Sequence, residues 1–162
     1  MNAVNIRPEA EIRAAALAAF EEHRGRILAV LPGAEVEHVG ATSVPGALTK
    51  GDVDLLVRLE RSRFAAGVAT LGDLYAVHQC ENWTPTYASF ADDAGADQPV
   101  GVQVAVAGSA DDLMFGEFRD LLIGDPEALA AYNALKRRHD GDGYERYTEA
   151  KARFIERALA RP

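Results

Sequence analysis

Cysteine is almost absent from this 162-residue chain. Cys80 stands alone, which excludes an intramolecular disulfide and any zinc site built on thiolates. A solitary thiol of this kind is expected to serve as a small buried hydrophobe. Long apolar runs are missing as well. No stretch reaches the ~18 consecutive apolar residues of a membrane-spanning helix, so no membrane partner is expected. The opening MNAVNIRPEAEIRAAALAAF has neither the basic start nor the unbroken apolar run of a secretory signal, and the expected location is the cytoplasm. Positive charge is scarce: 17 Lys and Arg face 25 Asp and Glu, for a net charge of −8. That balance argues against a long nucleic-acid partner, whose phosphate backbone demands basic surface. It leaves room for a nucleotide, which needs only a few local cations.

What is present is an ordinary globular composition, 48% hydrophobic and 26% charged, at a length expected to form one domain over residues 1–162. From Pro8 to about Leu31 the apolar spacing predicts an amphipathic helix, stopped by Pro32-Gly33. AEVEHVG and GDVDLLVRL read as strands, SRFAAGVATLGDL as a second helix, and Tyr75–Cys80 and Tyr87–Phe90 as further strands. ADDAGADQP reads as a solvated turn, since Asp92, Asp93 and Asp97 lack the spacing of a calcium loop. VGVQVAVAG alternates strictly, as a half-buried strand does. The remainder is helical. Ser109 and Asp112 resemble a capping box, and Asp125-Pro126 supplies an N-cap with proline at the first helical position. DGDG at 140–143 precedes a last helix whose core face is expected to hold Tyr144, Tyr147, Phe154, Ile155 and Ala158. The class is α+β: a mixed β-sheet flanked by helices, with a helical C-terminal third.

The stretch EHVGATSVPGALTKGDVDLLVRL carries the chemistry. Residues two apart share a strand face, so Asp52, Asp54, Leu56 and Arg58 lie opposite Val53, Leu55, Val57 and Leu59. If VGVQVAVAG is the neighbouring strand, the acids share their face with Gly101, Gln103 and Ala105, whose small size leaves room for a ligand. Two such carboxylates suit a hard divalent cation, Mg²⁺ or Mn²⁺, which takes oxygen ligands and brings substrate phosphates with it. The turn GATSVPG offers backbone N–H groups at Gly40 and hydroxyls at Thr42 and Ser43 as a phosphate cradle, with Lys50 to neutralise phosphate charge. A bare Asp-x-Asp is equally what a solvated strand end looks like. His38 is expected to satisfy a neighbouring group, and Trp83, Tyr147 and Phe154 to pack.

The spacing Val39-Gly40-Ala41, ten residues, then Asp52-Val53-Asp54-Leu55 resembles the signature of polymerase-β-like nucleotidyltransferases. More narrowly, EHVGATSVPGALTKGDVDLLV resembles the central motif of the GrpB family within that superfamily. FRDLLIGDPEALAAYNALKRR and YTEAKARFIERAL resemble its C-terminal helices. The resemblance covers about Glu35 to Leu159. It implies a nucleotidyltransferase fold in which paired acids, here Asp52 and Asp54, bind two Mg²⁺ ions together with a third acid. A nucleoside triphosphate would be attacked at its α-phosphorus by a small-molecule or protein hydroxyl. Gly40, Thr42, Ser43, Lys50, Gln103, Arg119 and Lys151 would contact the nucleotide. The departures are specific. Gln103 stands where a third carboxylate is expected and cannot accept a proton. Ala41 replaces a common serine, and the later strand carries no histidine. A nucleotide- or partner-binding module without turnover is therefore the alternative.

Overall fold

A computed structural model of the chain describes residues 3–92 and 98–160. Seven strands and five α-helices follow in order: β1 Arg7–Pro8, α1 Arg13–Val30, β2 Glu35–Val39, β3 Leu48–Thr49, β4 Val53–Leu59, α2 Arg61–Gly72, β5 Ala76–Val77, β6 Tyr87–Asp92, β7 Val100–Val106, α3 Ala110–Gly124, α4 Pro126–Arg138 and α5 Tyr144–Leu159. Five strands form a mixed sheet in the order β2-β4-β7-β6-β5, and β1 pairs with β3 in a separate two-stranded ribbon. The two alternating strands are neighbours and run parallel, with Val53 opposite Val100 and Leu59 opposite Val106. Every other pairing in the sheet is antiparallel.

The valine face behaves as the alternation requires. Val53, Leu55, Val57, Val102 and Val104 are fully buried, packed with Ala16 and Ile27 of α1 and with Phe64 and Leu71 of α2. The opposite face is not the open, solvated side that an exposed pair of acids would mark. Phe115 of α3 lies over Val39, Leu56 and Ala105. Beside it a second apolar cluster joins Val44 and Ala47 to Phe118, Leu122 and Tyr132, with Phe154 and Ile155 packed against it. The ring centroids of Phe118 and Tyr132 are 5.2 Å apart and edge to face, a favoured aromatic geometry. The C-terminal helices thus roof the acidic face. Both expected caps form: the Ser109 side chain accepts from Asp112 N, and Asp125 accepts from the N–H groups of Glu127 and Ala128.

Four local expectations change. The first helix begins at Arg13, because Pro8 pairs in the ribbon and Glu9–Glu11 form a 3₁₀ turn. Glu9 is buried, held by Arg13 and by Gly46 N–H. The segment Tyr75–Cys80 keeps only Ala76–Val77 as strand, since Gln79 turns left-handed at φ 44° and a 3₁₀ turn follows. Cys80 lies in that turn, exposed rather than buried. In α5, Tyr147 is buried, but Tyr144 faces outward with the Lys50 ammonium 4.4 Å from its ring centre. The expected acidic turn lies largely at 93–97, outside the described residues. Its first acid, Asp92, closes β6 and approaches Arg26 at 3.8 Å. No helix among the described residues is long and apolar enough to cross a membrane.

Candidate functional site

Asp54 is the second residue of β4, level with Val39 at the end of β2 and with Gly101 on β7. Its carboxylate fits because both flanking positions lack side chains. A Cβ on Gly40 would lie 2.5 Å from Asp54 Oδ2, and one on Gly101 would lie 2.7 Å from Oδ1. Gly40 also has φ 75°, a left-handed conformation that favours glycine and swings the chain out of β2 into the 3₁₀ turn Ala41–Ser43. Gln103, two residues along β7, donates from Nε2 to Asp54 Oδ1 at 3.4 Å. Its Oε1 is shut off from solvent and has no partner among the described residues. Burial pushes the Asp54 carboxyl above the usual range; Lys151 and Lys50 oppose the rise, and Asp52 adds to it.

Asp52 lies one residue ahead of β4 rather than within it. It is half-exposed and pairs with Lys50 at 2.8 Å. The hydroxyls of the turn close the turn itself: Thr42 Oγ1 is buried and 2.8 Å from His38 Nε2, and Ser43 Oγ donates to Gly40 O at 2.6 Å. His38 points to the other side of the sheet, stacked on Phe20. Burial and the charge of Arg119 drop its pKa to about 4. Arg119 binds Glu37 at 2.9 Å and the His38 carbonyl at 3.4 Å. Lys151 forms no salt bridge among the described residues, although its charge reaches Asp54.

Gly40, Asp54, Gln103, Arg119 and Lys151 converge on one cavity of about 130 Å³, whose remaining wall is chiefly apolar and includes Phe115, Phe118, Leu122 and Ile155. Asp52, Lys50, Thr42 and Ser43 are not in that wall. Two features escaped the sequence reading. Arg58 bridges Glu37, Glu35 and Asp112, and with Arg119 it holds Glu37 down at about 2. Alternation places Arg58 on the acidic face, but its partners come from β2 and α3. The other feature is a clamp on residues 46–48. Asn133 donates to Gly46 O and accepts from Leu48 N, while the buried Lys136 ammonium donates to Leu48 O at 2.5 Å. Burial lowers the Lys136 pKa well below that of an ordinary lysine. No sequence signal marks Lys136 beyond its helical spacing from Tyr132, whose ring centre is 4.3 Å away.

Residues 10–161 match the family model described as GrpB protein. The chain belongs to the GrpB family. It is 35% identical over 141 residues to a UPF0157 protein of Vibrio cholerae, covering 86% of this chain and 73% of that one. A UPF0157 protein of Deinococcus radiodurans is 34% identical over 148 residues, covering 89% and 76%. The crystal structure of conserved protein GrpB from Enterococcus faecalis superposes with a TM-score of 0.71 at 18% identity, covering 95% of this chain and 99% of that one. At that identity the likeness concerns the fold.

Within this GrpB fold the acidic face offers a cation two carboxylates, Asp52 and Asp54, while the Gln103 amide oxygen is closed to solvent. The described residues contain no group of three or more His, Cys, Asp or Glu side chains placed to hold a metal. Asp52 and Asp54 are the carboxylates that one hard cation would use here, with water and phosphate oxygens completing its shell. They do not suit a pair of ions bridged by three carboxylates. Lys50 and Lys151 already set two positive charges near the two acids.

Proposed function

We propose that this protein binds a nucleoside triphosphate with one divalent cation, Mg²⁺ or Mn²⁺, at Asp52 and Asp54. We further propose that it transfers the nucleotidyl group to a hydroxyl of a small molecule or protein. The observation that carries the reading is the fit of Asp54 between two glycines. A surface acid needs no such accommodation, whereas a carboxylate kept in a cavity wall against its own desolvation cost is characteristic of a functional site. Membership of the GrpB family and the motif's resemblance to nucleotidyltransferases supply the reaction class.

The roles follow from the chemistry of each group. Asp52 and Asp54 hold the cation, whose contribution is to neutralise charge on the α-phosphate. Lys50 holds Asp52 when no cation is bound and is placed to lend its charge to a phosphate when Asp52 is engaged elsewhere. Lys151, with no salt bridge among the described residues, is the strongest candidate for a direct phosphate contact, and Arg119 would have to share itself with Glu37. In the transfer, the acceptor oxygen bonds to the α-phosphorus, pyrophosphate leaves with the electrons of the broken P–O bond, and the hydroxyl proton passes to solvent water. Gln103 cannot take the acceptor's proton. That feature favours a second reading, a nucleotide-binding module without turnover.

A thermal-shift screen of the four nucleoside triphosphates, each with and without Mg²⁺ or Mn²⁺, tests the first reading. Saturation at a hundred times Kd adds about 2.7 kcal/mol of stability. The expected shift requires nucleotide and metal together and vanishes in Asp54→Asn; a shift that survives that substitution refutes the site. Gln103→Asp separates the two readings, because transfer should appear or rise only if the third acid is all that is missing.

A further inference from the structure

A second hollow, between α4 and α5, faces away from the acidic side of the sheet. It measures about 380 Å³, within the roughly 300–1,000 Å³ of small-molecule sites. Four arginines line it, Arg138 from α4 and Arg146, Arg153 and Arg157 from α5, and Glu149 is the one acid among the described residues of its wall. At 3.6 residues per turn the three arginines of α5 fall within about 40° of one another and extend over about 16 Å, whereas Lys151 lies about 140° round the helix from Arg146. The chain as a whole carries a net charge of −8, so this groove has the opposite sign to the molecule. Local pairing does not use up its charge. Arg146 meets Asp142 at 3.6 Å and Arg153 meets Glu149 at 3.9 Å, exposed contacts that contribute little. Asp142 is also engaged by His139 at 2.7 Å. Arg138 and Arg157 form no salt bridge among the described residues, and Arg157 Nε donates to Arg153 O at 3.3 Å. The helix dipole accounts for Arg138 and Arg157, which stand in the last turns of α4 and α5. It does not account for Arg153 in the middle of α5, or for Arg146 in its first turn, where positive charge is disfavoured.

We propose that this groove binds a small molecule carrying two or more phosphate groups, with no metal ion between them and the protein. All four cations are arginines, whose planar fork takes a phosphate through two parallel hydrogen bonds. Neighbouring phosphates concentrate their charge as the hollow concentrates its arginines, whereas an acidic peptide would spread its carboxylates along an open face. No Phe, Tyr or Trp is among the described residues of the wall, so the ligand is recognised by its phosphates and not by a nucleobase. The groove shares no residue with the cavity at Asp54, and it does not depend on the functional reading above.

Tripolyphosphate is the probe, titrated into the full chain in metal-free buffer and followed by calorimetry and ¹H-¹⁵N NMR. One site should saturate, its affinity should fall as salt rises, and the shifted resonances should include the Nε–H groups of the four arginines. An Arg153→Gln, Arg157→Gln double variant should bind about tenfold or more weakly, while Lys151→Gln should bind as the wild type does. Both replaced arginines are exposed, so the double variant should fold and keep any thermal shift that needs nucleotide and metal together. No saturable binding, or equal binding by the double variant, overturns the proposal. Loss of binding in Lys151→Gln overturns it too, because the phosphates then lie on the acidic face. Inorganic phosphate and a hexaglutamate peptide should each bind about tenfold or more weakly than tripolyphosphate. A peptide that binds as tightly makes the groove a surface for an acidic protein and overturns the ligand class. Adenosine triphosphate in the same buffer should bind no more tightly than tripolyphosphate; tighter binding would mean that a base is read and would overturn recognition by phosphates alone. If tripolyphosphate binds here while no nucleotide with metal shifts the melting temperature, the functional reading fails and the groove stands.

Discussion

Replacing Gly101 with alanine tests the cradle around Asp54 directly. The new Cβ would meet Asp54 Oδ1 at 2.7 Å and Gln103 Nε2 at 3.1 Å. Gly101 is not among the residues with positive φ, so the strand backbone accepts alanine without strain. Restricting the unfolded chain at such a position contributes roughly 0.4–1 kcal/mol of stability. Forcing an extra carbon into a filled space costs roughly 1–3 kcal/mol. Both atoms in the way are side-chain ends, so Asp54 rotates out of its seat and the backbone stays. The expected net loss is about 0–2.5 kcal/mol. In an Asp54→Ala background the nearest obstacle is gone, and Gly101→Ala should become neutral or stabilising by up to about 1 kcal/mol. The coupling from the four-member cycle is therefore about 1–3 kcal/mol, measured by urea unfolding followed by circular dichroism. Equal effects of Gly101→Ala in both backgrounds would refute the idea that this glycine exists to seat the carboxylate. The Asp54→Ala member carries its own pH signature. A carboxyl whose folded pKa lies above its unfolded value of 3.8 makes the fold lose stability as pH rises through that interval and leaves it lower above. The variant should lack that loss and gain on the wild type as pH increases.

His38, lowered from 6.5 to about 4, stays neutral in the fold while the unfolded chain protonates. Stability should therefore fall as pH drops from about 6.5 to 4, by at most about 3 kcal/mol. His23 shifts in the same direction, so a His38→Gln variant should show a shallower slope in urea midpoints across that window, not a flat one. Glu37, held at about 2 by Arg58 and Arg119, adds stability above pH 4.5 that disappears towards pH 2. Being about one-third exposed, it is discounted for screening to roughly 1–2 kcal/mol, and Glu37→Gln should remove that acid-side loss. Lys136, depressed by burial, should make the fold gain stability as pH rises towards 10.5. Lys136→Met should abolish that gain in thermal unfolding between pH 7 and 10, and an unchanged slope would mean the ammonium is solvated.

The sheet's centre is legible in the sequence because β7 alternates strictly and β4 does so but for Leu56, and burial on one face fixes register in a period of two. The same arithmetic puts Asp54, Gly101 and Gln103 on one face. Ser109 and Asp125 mark their helix starts through chemistry that is local to the chain. What covers the acidic face is not legible. An amphipathic pattern tells that α3 and α5 each bury one side, without telling which sheet face receives it. Helical pattern alone therefore makes Lys151 one helix cation among several; only the family resemblance singles it out, and it lines the cavity. Glu9 reads as an ordinary acid near a helix start, whereas it is buried to hold Gly46 N–H, a contact 37 residues distant. The partners of Arg58 are equally remote, 21 to 54 residues along the chain.

The clamp on residues 46–48 has a bearing on the order in which the molecule comes together. A nascent chain that has emerged through Val106 already contains every strand of the five-stranded sheet, both acids and Gln103. It still lacks Asn133 and Lys136, which grip Gly46 and Leu48, and the helices that enclose the cavity. Since synthesis proceeds from the N-terminus and folding follows it, the sheet precedes the site. Until α4 docks, the segment carrying Lys50 and Asp52 is tethered through Glu9 and the β1–β3 ribbon. A chaperone or ligand that meets the protein during synthesis encounters Asp54 on an uncovered face, and the cavity is complete only once α3, α4 and α5 have docked.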